Sequence, residues 1–170
     1  MSTKEIAKAA LLTAIIAIFS VITFKIGTVP ITLSVFAILF AAVAAGAKTG
    51  VTAVIVYILI GAVGLPVFSG FSGGVSVLAG PTGGYIISYI FMALLVGYVS
   101  DKTKKIPVRL AACIISLVIC YTLGTLQYCI VAKQTAAYGI AVCVYPFIAV
   151  DIVKCAAAAL IGSKIRELTA

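Results

Sequence analysis

Residues 108–131 read VRLAACIISLVICYTLGTLQYCIV, with one charge, Arg109, at the very start. A helix that crosses a bilayer needs about 20 mostly apolar residues, and this run supplies them. Outward from it, five more apolar runs appear: Lys4 to Phe24, Ile31 to Ala45, Val51 to Gly64, Thr82 to Ser100 and Tyr138 to Ile165. The runs Ile31–Ala45 and Val51–Gly64 are short for a full span. The pattern predicts an all-α, polytopic membrane protein of six transmembrane helices, residues 1–170 forming a single domain.

Composition points the same way. Of 170 residues, 64% are hydrophobic and 9% charged, and the mean hydropathy is +1.33. Soluble domains are about half apolar and a quarter charged, so the solvent of this fold is lipid. The formal charge of +8 does not signal nucleic acid, because the basic residues sit between apolar runs, not in polar or aromatic patches. The five cysteines, Cys113, Cys120, Cys129, Cys143 and Cys155, all fall in apolar stretches without a C-x-x-C pair. They read as small buried hydrophobes.

Punctuation and charge set the expected topology. Gly27 and Pro30 end the first run, Gly46 and Gly50 flank a tight turn, and Asp101 to Pro107 is a charged linker. Lys4 and Lys8 precede an apolar run as in a signal peptide, yet no A-x-A-like site follows, so the run reads as a retained helix. Six spans put both termini on one side together with Lys4, Lys8, Lys48, Lys102, Lys104, Lys105, Arg109, Lys164 and Arg166. Only Lys25 and Lys133 lie on the other side, and Lys154 lies within a span. The positive-inside rule then makes both termini cytoplasmic. The uncharged loop from Leu65 to Pro81 faces outward. Its glycines preclude regular helix, and Phe68 and Phe71 suit either a lid over a flat ligand or a plain outer turn.

Four acids exist, Glu5, Asp101, Asp151 and Glu167, and Asp151 alone stands deep in an apolar run. Lys154 follows three residues later, on the same helix face. A charge at bilayer depth costs about 2.5–3.5 kcal/mol even on lenient scales, so both side chains point into the bundle or a wet cavity. Three readings follow: an architectural ion pair, a proton or cation relay, or a ligand-binding edge. The relay is the weaker reading, because the ammonium holds the aspartate ionised. As an edge, the carboxylate accepts and the ammonium donates, which complements a cyclic urea or amide. Gln127 needs partners in either the bundle or a ligand. Ser34, Thr82, Tyr85 and Tyr89 are further polar candidates that serve equally as helix packers or interfacial anchors. In the first run, Ala10 and Ala14 form a small-xxx-small step that admits a close helix partner.

Some motif matches carry no chemistry. Gly70-Phe71-Ser72-Gly73-Gly74 satisfies G-x-S-x-G, but the chain has no histidine to act as base. Lys48-Thr49 resembles the end of a phosphate loop, yet Ala42 and Ala47 fill the glycine positions. Neither a hydrolase nor an ATPase can be assembled, and nothing calls for a metal or cofactor.

The run Gly61-Ala62-Val63-Gly64-Leu65-Pro66-Val67-Phe68, the block Gly80-Pro81-Thr82-Gly83-Gly84-Tyr85, and Pro146-Phe147 followed by Asp151 and Lys154 resemble the BioY family. These are biotin-specific S components, the substrate-binding subunits of energy-coupling factor (ECF) transporters. The likeness runs through nearly the whole chain in order. It implies that Asp151 and Lys154 hold the ureido ring and that the loops after the first and third runs cover it; Phe68, Thr82, Gly84, Tyr85, Gln127 and Ser34 are the further candidate ligand-binding residues. The biotin carboxylate is left to Lys25, to backbone amides of the glycine loop, or to solvent. The likeness also implies a coupling subunit docked on Ala10 and Ala14, two ATPase subunits as energy source, and a bacterial plasma membrane as location. One departure is that Ser34 follows Pro30-Ile31-Thr32-Leu33 where similar proteins carry glutamine. Other readings of the residues are an S component for another vitamin and a structural membrane protein with an architectural Asp–Lys pair.

Overall fold

The computed structural model describes residues 1–26 and 29–169; the break expected at Gly27 and the side chain of Lys25 lie outside what is described. In chain order the elements are α1 (Thr3–Val21), β1 (Thr23–Ile26), β2 (Val29–Thr32), α2 (Ser34–Ala62), α3 (Val75–Ala79), α4 (Gly83–Lys102), α5 (Ile106–Ala132), α6 (Ala136–Cys143) and α7 (Ile148–Thr169). The helical class is as expected. An antiparallel hairpin, with Thr23 opposite Thr32 and Phe24 opposite Ile31, takes residues expected to end one helix and begin the next.

Local chemistry explains the boundaries. α1 opens on a capping box, in which Ser2 Oγ accepts from the Glu5 amide at 3.3 Å and Glu5 Oε2 accepts from the Ser2 amide at 2.7 Å. α5 starts with Pro107 in its first turn, where no amide is needed, and ends at Lys133 in the left-handed region. The expected last helix is broken: α6 and α7 meet at 55° across residues 144–147, where Pro146 has no amide to donate. The glycine-rich loop, expected to hold no helix, contains the short α3.

α2 is one helical run by hydrogen bonding but two by direction. At Gly46 the backbone takes a positive φ, 78° with ψ −179°, a combination essentially confined to glycine, and the chain folds back on itself. A methyl group on Gly50 would meet Ala42 Cα at 3.0 Å. In a straight helix those residues would stand about 12 Å apart. The arms, 34–45 and 47–62, correspond to the two short runs of the sequence. Asp101 from the end of α4 holds the bend, accepting the Ala47 amide at 3.0 Å on Oδ2 and Arg166 Nη2 at 2.6 Å on Oδ1.

A Gly46→Ala change should therefore destabilise the fold. Left-handed φ costs a non-glycine residue about 1–2 kcal/mol, and the new Cβ would meet Asp101 Oδ1, disturbing bonds worth about 1 kcal/mol each. The expected result is a clearly lowered unfolding midpoint in detergent. An unchanged midpoint would show that the bend is held by something other than this contact.

By length and apolar character α2, α4 and α5 are each able to cross a membrane, and the bent α6–α7 pair makes a fourth. The difference from six lies in α1, whose first two turns carry Lys4, Glu5 and Lys8, and in α2, counted once although it doubles back. The packed interior joins Ile16 of α1, Ile38 and Val54 of the two α2 arms, Met92 of α4, Cys113 of α5 and Cys155 of α7. Large apolar side chains such as Leu11, Ile115, Leu126 and Leu160 face outward, as lipid requires. The ends of the chain meet at one end of the bundle, where Lys8 Nζ donates to Thr169 O at 3.2 Å and Lys48 pairs with Glu5 at 3.1 Å.

Candidate functional site

At the other end of the bundle every major helix except α1 contributes to a cavity of about 160 Å³. β2 and the first arm of α2 supply Thr32, Ser34 and Val35, and the second arm supplies Tyr57. Val35 and Tyr57 would be about 33 Å apart on a straight helix, so the bend at Gly46 makes this wall. The loop after α2 adds Phe68, Ser69 and Ser72, α4 adds Tyr85, Ile86 and Tyr89, and α5 adds Cys120 and Tyr121. Phe147, Asp151 and Lys154 close the side formed by α7.

The break between α6 and α7 positions the charged pair. Because α7 begins at Ile148, Asp151 lies in its first turn, with its carboxylate favoured by the positive end of the helix dipole. Lys154 follows one turn on, and its Nζ lies 2.6 Å from Asp151 Oδ1. The residues are 3% and 6% exposed. Asp151 Oδ2 accepts from Tyr121 OH at 2.7 Å, and Lys154 Nζ also donates to Thr32 O at 2.8 Å. An ammonium has three protons and a carboxylate about four acceptor positions. One N–H and roughly two lone pairs therefore remain for a guest.

Aromatic rings form the remaining wall. Phe68 is 1% exposed and packs edge-on against Tyr57, with centroids 5.5 Å apart. A side chain at Gly61 would strike its ring. Phe68 is thus an anchor that pins the loop. Phe71, expected beside it, is 71% exposed with φ 57° and is not part of the wall.

Of the residues singled out in sequence, Asp151, Lys154, Thr82, Tyr85, Phe68 and Ser34 line the cavity, as does Tyr89. Gln127 and Gly84 do not. The Gln127 amide donates to Leu78 O and Gly80 O, both at 2.8 Å, so it ties down the glycine loop. Gly84 packs against the α5 backbone at Leu123, where any side chain would collide. Ser34 Oγ shares a hydrogen bond with Thr32 Oγ1 at 2.6 Å. Ala10 and Ala14 lie on the exposed face of α1, remote from the cavity. Sequence reasoning missed Tyr57 and Tyr121, and set aside Cys120 and Cys143 as packing although both line the wall. The available signal was that a tyrosine hydroxyl deep in an apolar span needs a partner.

Fold and site together define a small helical membrane protein whose bundle encloses a polar-edged ligand cavity. The BioY family model matches residues 1–170. The chain is 38% identical to the biotin transporter BioY of Thermotoga maritima, over 97% of each chain. It is 35% identical to a probable biotin transporter BioY of Pyrococcus horikoshii, over 99% of this chain and 100% of that one. Its structure superposes on the crystal structure of the S-component for biotin from an ECF-type ABC transporter with a TM-score of 0.91 and 25% identity, covering 98% of this chain and 95% of the other. The chain belongs to the BioY family.

Proposed function

We propose that residues 1–170 form one biotin-binding domain, the S component of an ECF-type uptake system in the cell membrane. The carrying observation is the Asp151–Lys154 pair on the cavity wall, buried yet with donor and acceptor capacity to spare. A ureido ring presents two N–H donors beside a carbonyl acceptor. Asp151 takes one N–H and Lys154 the adjoining carbonyl, while Tyr121 holds the carboxylate in place from behind. Thr82, Tyr85, Phe68 and Ser34 shape the remainder. Gln127 and Gly84 act indirectly by fixing the loop that roofs the cavity.

In this reading the chain crosses the membrane six times, with each arm of α2 as one crossing and α6–α7 as the last. Both termini are cytoplasmic, because the positive-inside rule applies to the end where the termini meet. Biotin enters from outside, the loops close, and the subunit delivers its cargo inward. A coupling subunit docked on Ala10 and Ala14 and two ATPase subunits supply the energy.

Purified protein in detergent, titrated with biotin by calorimetry, is expected to bind with submicromolar affinity. Vitamins that lack a cyclic urea should bind far more weakly. Equal or tighter binding of such a vitamin would overturn the assignment of the cargo.

A further inference from the structure

At the bundle end opposite the cavity, a cleft of about 310 Å³ lies between the end of α4, the start of α5 and the end of α7. Its wall carries Lys102, Lys104, Arg109 and Arg166 against Asp101 and Glu167, four cations to two carboxylates. Asp101 is already engaged by Arg166 and the Ala47 amide.

Arg109 is the residue that needs explaining. It is 2% exposed and donates to Thr103 O at 3.0 Å, Ser163 Oγ at 2.7 Å and Ser100 O at 3.3 Å. All three acceptors are neutral, and none of the ion pairs among the described residues includes it. A guanidinium has five N–H bonds, so two remain. Asp101 and Glu167 share the cleft, but a buried cation without a direct ion pair among the described residues is costly. On the same wall, the buried Ser100 Oγ has no hydrogen-bond partner among the described residues. Buried polar groups are nearly always satisfied, so cation and hydroxyl both have capacity for a partner beyond the described residues.

We propose that this cleft binds a phosphate group, the headgroup of an anionic phospholipid in the adjoining leaflet. Arg109 and Ser100 hold its oxygens, and Lys102 and Lys104 flank it. Basic pockets between helices at a membrane surface are suited to such headgroups. The exposed Ile106, Val108 and Leu168 beside the cleft offer an apolar path for the acyl chains, which a free phosphate would not use. The proposal does not depend on what the cavity at the other end binds.

The test compares phosphatidylglycerol, phosphatidylcholine and inorganic phosphate added to the purified, delipidated protein, read by lipid adducts in native mass spectrometry and by the unfolding midpoint. Phosphatidylglycerol is expected to be retained and to raise the midpoint where phosphatidylcholine does not. Because each basic residue near an anionic headgroup contributes about fivefold in affinity, Lys104→Gln should weaken retention by about that factor. Ser100→Ala should weaken it too, and this variant keeps the fold if Arg109→Gln does not. Lys4→Gln and Lys164→Gln, at the same end but outside the cleft, should leave retention unchanged. Stabilisation by inorganic phosphate equal to that by phosphatidylglycerol would support the phosphate site while assigning it to a soluble anion. Equal response to all three additives, or equal loss in cleft and control variants, would overturn it.

Discussion

Asp151→Asn is expected to weaken biotin binding by about ten- to a hundredfold. The asparagine keeps one acceptor oxygen in nearly the same place, so the loss isolates the charge. A hydrogen bond to a charged group is worth about 1.5–3 kcal/mol, and in the proposed site one ureido N–H depends on this carboxylate. The upper end of that range matches the roughly 2.8 kcal/mol of a hundredfold change, and the lower end is about tenfold. The change also strands the charge of Lys154, whose ammonium would keep the Thr32 carbonyl and at most a neutral amide oxygen in place of its carboxylate partner. Breaking a buried pair by removing one partner costs about 3–5 kcal/mol of stability, so lost binding alone is ambiguous. The paired change Asp151→Asn with Lys154→Met removes both charges and restores neutrality. If the couple serves the ligand, this double variant is folded, with a recovered unfolding midpoint, and does not bind biotin in calorimetry. Should it bind biotin like the parent protein, the couple is architectural and the proposed site is wrong.

The same couple explains why the site was partly legible in sequence. Ionisable groups at bilayer depth are expensive, so Asp151 and Lys154 stood out against an apolar background at a spacing that fixes a shared helix face. Their partner Tyr121 did not, because tyrosine is common in membrane segments and its sequence distance from Asp151 carries no pairing information. Gln127 was open between bundle and ligand for the same reason, and the carbonyls of Leu78 and Gly80 that it binds belong to the end of α3, a five-residue helix too short to show a period. In the fold, long apolar runs gave α4 and α5 nearly to the residue. The hairpin of β1 and β2 was invisible because each strand is four residues long, too short to set a period of two apart from the ends of the flanking apolar runs. The two arms of α2 were expected as separate short helices. Their close packing, with a backbone approach at Gly50 that no side chain would permit, is a tertiary fact that glycine content only hinted at.

Ala10→Trp is expected to abolish biotin uptake by cells while leaving biotin binding by the purified protein unchanged. The argument begins from exposure: Ala7, Ala10 and Ala14 share the outer side of α1 with Leu11, while Leu12 and Ile16 turn inward to the core. In lipid, helices associate by close van der Waals packing of small residues, because hydrophobic burial gives no advantage over acyl chains. An indole at position 10 would hold a partner helix several ångströms away and remove that packing. It would meet nothing within the subunit, since α1 contributes no residue to the cavity and Ala10 faces outward. Stability and ligand affinity are therefore expected to match the parent, and co-purification of the coupling subunit is expected to fail together with uptake. Ala10→Gly, which preserves the close approach, should retain both. Full uptake by the tryptophan variant would remove this face of α1 from the coupling interface, and a loss of biotin binding would mean that α1 supports the cavity in a way its contacts do not reveal.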